Sequence, residues 1–155
     1  MFEVLRDPEL YAFEGEPPAS PDAVRERFRR LESRRSPDAT ELWLNWVLRP
    51  APRDAPVGYV QATVRGDGRA AIAYVLAPSH WGRGLASRAV ETMLAELAAE
   101  HGVRRATAVL KVANLRSLRL LQRLQFTPAS AALSDLLALD DDEIAMERAL
   151  APPTP

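Results

Sequence analysis

The hydrophobic period of the chain changes at Pro78, and that change decides the fold class. Ahead of it lie three strand-like runs, Glu41 to Arg49, Val57 to Arg65 and Arg69 to Leu76. In the first, Leu42, Leu44, Trp46 and Leu48 share one side of the pleat, with Trp43, Asn45 and Val47 on the other. Gly66-Asp67-Gly68 tolerates positive φ, so the second and third runs should close as a hairpin, while Pro50 to Pro56 joins the first two more loosely. This is an antiparallel meander. Beyond Pro78, Leu85, Ala89, Met93 and Leu97 recur at intervals of four, predicting a helix over 84–101 that Gly102 stops. Val103 to Val112 reads as a further strand, and Asn114 caps a second amphipathic helix in which Leu115, Leu118, Leu121 and Leu124 recur at threes. Residues 127 to 140 carry little pattern, and Glu143 to Leu150 reads as a last strand or a short helix. Strands followed by alternating helix and strand make an α/β domain.

Upstream, Ser20-Pro21-Asp22 supplies an N-cap, a proline for the first helical position and an acid for the first turn, so a helix is expected from Pro21 to Arg35. Val24, Phe28 and Leu31 form its apolar stripe; Arg25, Arg27, Arg29, Arg30, Arg34 and Arg35 occupy the rest. A nucleic-acid face is one reading of those arginines. Yet Glu26 and Glu32 interleave with them, and the 20 basic and 21 acidic side chains leave a net charge of −1. Phosphate-dominated binding needs a surplus of positive charge, so a solvated helix is the reading preferred. A length of 155 residues suits one domain. The absence of cysteine removes disulfides, thiolate metal sites and cysteine nucleophiles, and is compatible with a reducing cytoplasm. Arg or Glu interrupts every long apolar stretch and an acid follows Met1-Phe2, so neither a membrane span nor a secretion signal is expected.

Chemistry concentrates where the third strand gives way to the long helix, at Leu76 to Ala86 (LAPSHWGRGLA). Gly82 and Gly84 let backbone amides approach a ligand, and the first helical turn offers unpaired N–H groups at its positive end, so phosphate is the natural guest, with Arg83 adding a formal charge. A plain glycine turn into a helix is the other reading. The segment is not a P-loop, since GxxxxGK[ST] is absent, and it lacks the third glycine of a dinucleotide fingerprint.

The meander, the loop HWGRGLA, the long helix, the strand and then Asn114-Leu-Arg-Ser117 through Gln125-Phe126 resemble, in that order, the GNAT superfamily of acyl-CoA-dependent N-acetyltransferases. The branch most similar is that of the ribosomal-protein N-terminal acetyltransferases. The family's [Q/R]xxGx[G/A] signature falls on Trp81 to Ala86, and its second signature on Asn114, Ser117 and Phe126. The resemblance implies one domain over 1–155, with a helical part at 1–40, an acetyl-CoA-binding core at 41–126, and a strand region and tail at 127–155. It implies a mixed, mostly antiparallel sheet flanked by helices. It also implies that acetyl-CoA is the co-substrate, without metal. Its pantetheine arm would pair with the main chain at Tyr74, Val75 and Leu76. Its diphosphate would lie on Trp81, Gly82, Arg83, Gly84, Leu85 and Ala86, with Asn114 and Ser117 contacting the arm. The acceptor would be an amine, with a peptide or protein N-terminus favoured by the branch. A non-catalytic acyl-CoA-binding or protein-interaction module on the same fold is the alternative.

Three departures from the family pattern stand out. Trp81 replaces the usual Gln or Arg. Gln125 replaces the glycine before Phe126, which at a position requiring positive φ costs on the order of 1 kcal/mol. No strand precedes the helical segment, so the sheet is expected to lack the usual first strand, to borrow it from a neighbouring molecule, or to have lost it to a truncated start. An unpaired sheet edge would invite a homodimer.

Acetyl transfer needs a neutral amine, a polarised thioester carbonyl and a proton for the leaving thiolate. An N–H near Val75 or Leu76 is the expected carbonyl donor. Many relatives carry a tyrosine as the thiolate's acid seven residues after the asparagine; here that position is Leu121. His80 and Ser117 are the candidate catalytic residues, with Glu41 or a water held by Tyr59 or Tyr74 as alternative bases. Direct transfer dominated by positioning, with no single essential base, is the expected mechanism. Trp43, Asn45 and Trp46 are expected to wall the acceptor.

Overall fold

A computed structural model describes residues 1–13, 15–51 and 54–151. The helices are α1 (Phe2–Leu5), α2 (Pro21–Leu31), α3 (Leu85–His101), α4 (Leu115–Arg123) and α5 (Ala131–Leu137). The strands are β1 (Glu41–Leu48), β2 (Gly58–Arg65), β3 (Arg69–Leu76), β4 (Arg105–Lys111), β5 (Thr127–Pro128) and β6 (Glu143–Ala149). They form a six-stranded sheet in the order β1-β2-β3-β4-β6-β5, antiparallel throughout except for β3 and β4. The expected α/β architecture is therefore the observed one. The meander, the α3 limits and the Asn114 cap stand as read, and Glu143 to Ala149 resolves as a strand. The proline-rich link between β1 and β2 and the C-terminal tail lie partly outside the described residues.

One sheet face packs on α3 and α4. Leu44, Val60, Ala62 and Ile72 meet Val90, Met93, Leu97 and Leu121 there, all almost fully buried. Leu42, Trp46 and Leu48 join the same core, as the alternation of β1 requires. On the opposite face a smaller cluster of Leu5, Val24 and Tyr59 holds the N-terminal helices, with Phe28 and Val75 packed against it. No described helix is long and apolar enough to cross a membrane.

The α2 helix ends at Leu31, four residues before its expected limit. Arg34 turns with φ +55°, and the chain then runs beside β1, where the Trp43 N–H donates to the Arg34 carbonyl at 2.8 Å and the Ser36 N–H to the Glu41 carbonyl at 3.0 Å. Among the described residues before Glu41 there is no strand, only this bridge between Arg35 and Leu42. The chain thus covers the first part of its own sheet edge. The weakly patterned stretch after Phe126 contains the two-residue β5 and α5, too short to leave a period in the sequence.

Two backbone positions carry specific strain or closeness. At the end of α4 the Phe126 N–H reaches back to the Leu121 carbonyl at 3.0 Å and the Gln125 N–H to Gln122 at 2.9 Å. This closure places Gln125 at φ +62°. Replacing Gln125 with Gly should raise the unfolding free energy by about 1 kcal/mol, seen as a higher urea midpoint at unchanged slope. At the start of β2, a Cβ on Gly58 would lie 2.1 Å from the Val75 carbonyl oxygen. Gly58→Ala should therefore destabilise by about 1–3 kcal/mol in the same titration.

Candidate active site

The parallel pairing of β3 with β4 covers only Arg69, Ala70 and Ala71 opposite Arg105, Ala106 and Thr107. Each strand is then drawn away by its other neighbour: β3 follows β2 as far as Leu76 opposite Gly58, and β4 follows β6 as far as Lys111 opposite Glu143. Sheet twist widens the gap. One edge of residues 72–76 is left without a strand partner among the described residues, and the opening lies at the carboxyl ends of two parallel strands, where α/β sheets hold ligands. At the β4 rim the Lys111 ammonium meets the carboxylates of Asp142 at 2.8 Å, Glu143 at 3.2 Å and Asp140 at 3.4 Å. The bond to Asp142 leads in holding the Lys111 pKa above its usual value, and Lys111 in turn holds Asp142 low.

The opening is floored by Tyr74 and Ser117, whose hydroxyl oxygens are 2.6 Å apart. Burial pushes the Tyr74 phenol up, and the bond to Ser117 partly offsets this. Asn114 spends its carbonyl oxygen on the α4 cap, accepting from the Ser117 N–H at 3.1 Å. Its amide nitrogen is not used in that cap. The cap half of the expected dual role is therefore seen directly.

Above the opening, the Trp81 indole N–H donates to the Leu76 carbonyl at 2.7 Å. The Arg116 guanidinium lies 3.4 Å from the centre of the same indole ring. Gly82 and Gly84 adopt φ +74° and +72°, and a Cβ on either would meet nothing within 4 Å. Ser20, Asn114 and Ser130 cap α2, α4 and α5 with side-chain oxygens, whereas α3 starts at Gly84 without any side-chain cap. Its first-turn N–H groups and positive end are thus left available to an anion.

Tyr74, Val75, Leu76, Trp81, Ala86, Asn114 and Ser117 line one cleft of about 160 Å³. These residues, singled out from sequence positions as much as 43 apart, are thus brought together. Gly82, Arg83, Gly84 and Leu85 form the loop and helix start beside that lining. His80 is not among the lining residues; its Nδ1 pairs with the Ser79 hydroxyl at 3.0 Å. Glu41 sits at the opposite end of β1, about 23 Å away at the usual strand rise, and there it pairs with Arg65 at 3.1 Å. It is too far to serve the cleft as a base. Tyr59 lies on the other sheet face, its hydroxyl accepting from Arg27 at 3.3 Å. Trp43, Asn45 and Trp46 line a separate depression with Phe28 and Leu31. Leu121, at the position of the family's acidic tyrosine, is 1% exposed within the core.

The cleft also contains residues that the motifs did not reveal: Glu9, Leu10 and Phe13 from the N-terminal segment, and Arg116 between the two α4 motif residues. Nothing in the local pattern of Asp7 to Phe13 places it against β3. Among the described residues there is no group of three or more His, Asp or Glu able to hold a metal ion.

The same architecture recurs in solved structures. Spermidine N-acetyltransferase from Vibrio cholerae, solved with CoA and spermine, superposes with a TM-score of 0.74 at 16% identity over 96% of this chain and 87% of that one. An acetyltransferase from Thermus thermophilus gives 0.72 at 23% identity over 96% and 88%. A Salmonella typhimurium protein solved with acetyl-CoA gives 0.68 at 16% over 99% and 88%. No curated protein matches the chain at a significant level. The sequence pattern of the acetyltransferase (GNAT) domain matches residues 1–127, and the chain belongs to that family.

Proposed function

We propose that the chain transfers the acetyl group of acetyl-CoA to a primary amine, with the N-terminus of a peptide or protein as acceptor. The observation that carries this reading is the meeting of an uncapped helix entry with an open strand edge. The α3 entry offers main-chain N–H donors behind two glycines whose Cβ space is empty, and residues 72–76 offer an unpaired edge beside it. A diphosphate followed by an amide-bearing arm fits that order of donors. Gly82, Arg83, Gly84, Leu85 and Ala86 hold the diphosphate in this reading. The main chain of Tyr74, Val75 and Leu76 receives the arm, with Asn114 and Ser117 on its far side. Acetyl-CoA supplies the activated acyl group, and the Leu76 main-chain N–H, on the edge turned away from β2, polarises its carbonyl; the Val75 N–H faces β2. The Vibrio cholerae and Salmonella typhimurium structures, with their CoA and acetyl-CoA, support the choice of co-substrate. The resemblance of the order of elements as a whole to the ribosomal-protein branch supports the acceptor, and the cysteine-free composition is compatible with a cytoplasmic setting.

Transfer is direct and governed by positioning. Ser117, in contact with Tyr74, is the catalytic hydroxyl within the cleft, and His80 lies outside its lining.

Calorimetric titration with acetyl-CoA should show binding, and the ligand should raise Tm as mass action requires. Gly84→Ala puts a methyl group in the space before the α3 entry and should weaken that binding by about tenfold or more, a loss of about 1.4 kcal/mol. Absence of heat with folded wild-type protein would overturn the reading. His80→Ala should keep kcat/KM within about tenfold; a loss beyond about a hundredfold would make His80 the general base instead.

A further inference from the structure

The cleft has a second wall that neither motif accounts for. It comes from the 3-10 turn Pro8–Tyr11 and the residues after it. The Asp7 carboxylate caps this turn by accepting from the Glu9 N–H at 3.0 Å, and the Tyr11 hydroxyl ties it down by donating to the Leu5 carbonyl at 2.8 Å. Leu10 packs against the small core on that sheet face. The turn is thus fixed from three sides, and it presents Glu9, Leu10 and Phe13 to the cleft opposite Asn114 and Ser117.

Glu9 supplies the one carboxylate among the cleft-lining residues, and among the described residues no cation or hydrogen-bond donor engages that carboxylate. Phe13 is 45% exposed, an aromatic surface left uncovered at the same place. Arg116, the one cation on the lining, is stacked on Trp81.

We propose that Glu9, Leu10 and Phe13 form the acceptor subsite, and that it takes a singly charged primary amine on an apolar body: the α-ammonium of a peptide whose first side chain is apolar. The proposal rests on the acetyl-transfer reading above and adds the acceptor class to it. The Glu9 carboxylate receives the ammonium in a charge-assisted hydrogen bond, and the apolar side chain covers Phe13 and Leu10; the amine gives its proton to solvent before its nitrogen bonds to the acetyl carbon, and the CoA thiolate takes a proton as the C–S bond breaks. A linear polyamine carries several cations. It finds a single carboxylate here and a guanidinium nearby, so its second charge is unpaired or repelled. The spermidine enzyme of the same fold therefore differs from this chain in acceptor, not in scaffold. The role assigned to Glu9 is binding, and its signature lies in KM for the amine.

The test uses acetyl-CoA with three acceptors, a tripeptide beginning with leucine, one beginning with aspartate, and spermidine, with release of free CoA as the readout. The leucine peptide should exceed both others in kcat/KM by about tenfold or more. Glu9→Gln should raise KM for the leucine peptide by about tenfold, equivalent to about 1.4 kcal/mol, while KM for acetyl-CoA stays within about twofold. Phe13→Ala should narrow the preference for leucine over aspartate. Both side chains are exposed, so Tm should stay near the wild-type value and show that the variants fold. Spermidine turned over as well as the leucine peptide, or an amine KM unchanged in Glu9→Gln, would overturn the subsite. So would heat on titrating acetyl-CoA with none of the three acceptors acetylated, which leaves cofactor binding standing. No heat at all would overturn the acetyl-transfer reading and this subsite with it.

Discussion

Pairing between β3 and β4 ends at Ala71 and Thr107, and most of what the molecule presents to a ligand follows from that early end. Had the ladder continued, the outward-facing backbone groups of residues 72–76 would have been spent on β4. Instead the two strands are held apart by their outer neighbours, and the gap is braced at one rim by the Lys111 carboxylate cluster. An unpaired strand edge is ordinarily an aggregation hazard. Here it sits inside the sheet, flanked by α3 and α4, so a flexible ligand arm can reach it while a second protein strand is hindered.

The helix entries complete the division of labour. A side-chain cap both satisfies the first turn and blocks it, as at α2, α4 and α5. At α3 the left-handed Gly84 stands in for a capping side chain, leaving the turn's donors turned outward. Trp81 links this entry to the strand edge through the Leu76 carbonyl, and Arg116 links it to α4 through the indole face. Loop, strand edge and second helix are therefore tied together by direct contacts.

Much of this arrangement was legible in the residues. The alternation of β1, the fours of α3, Gly66 to Gly68 and the Ser20 and Asn114 caps are local signals, and each element formed where its signal lay. The cleft lining at Tyr74, Val75, Leu76, Trp81, Ala86, Asn114 and Ser117 was legible because one motif follows each strand of the parallel pair. What escaped is non-local. Glu9 and Phe13 reach the cleft only because Tyr11 bonds to Leu5 and Leu10 packs beneath, contacts with no period to announce them. Glu41 looked available as a base because a strand's residue numbers do not reveal which end of the sheet faces the ligand. The short β5 and α5 form from pairing with β6 and a Ser130 cap rather than from a pattern of their own.

The small core of Leu5, Val24 and Tyr59 is separate from the one that binds α3 and α4. A layer held by so few buried side chains detaches at lower free energy than the body it covers. The two walls of the crevice therefore stand on different foundations, the N-terminal wall on the Leu5, Val24 and Tyr59 cluster and the glycine loop on the main core.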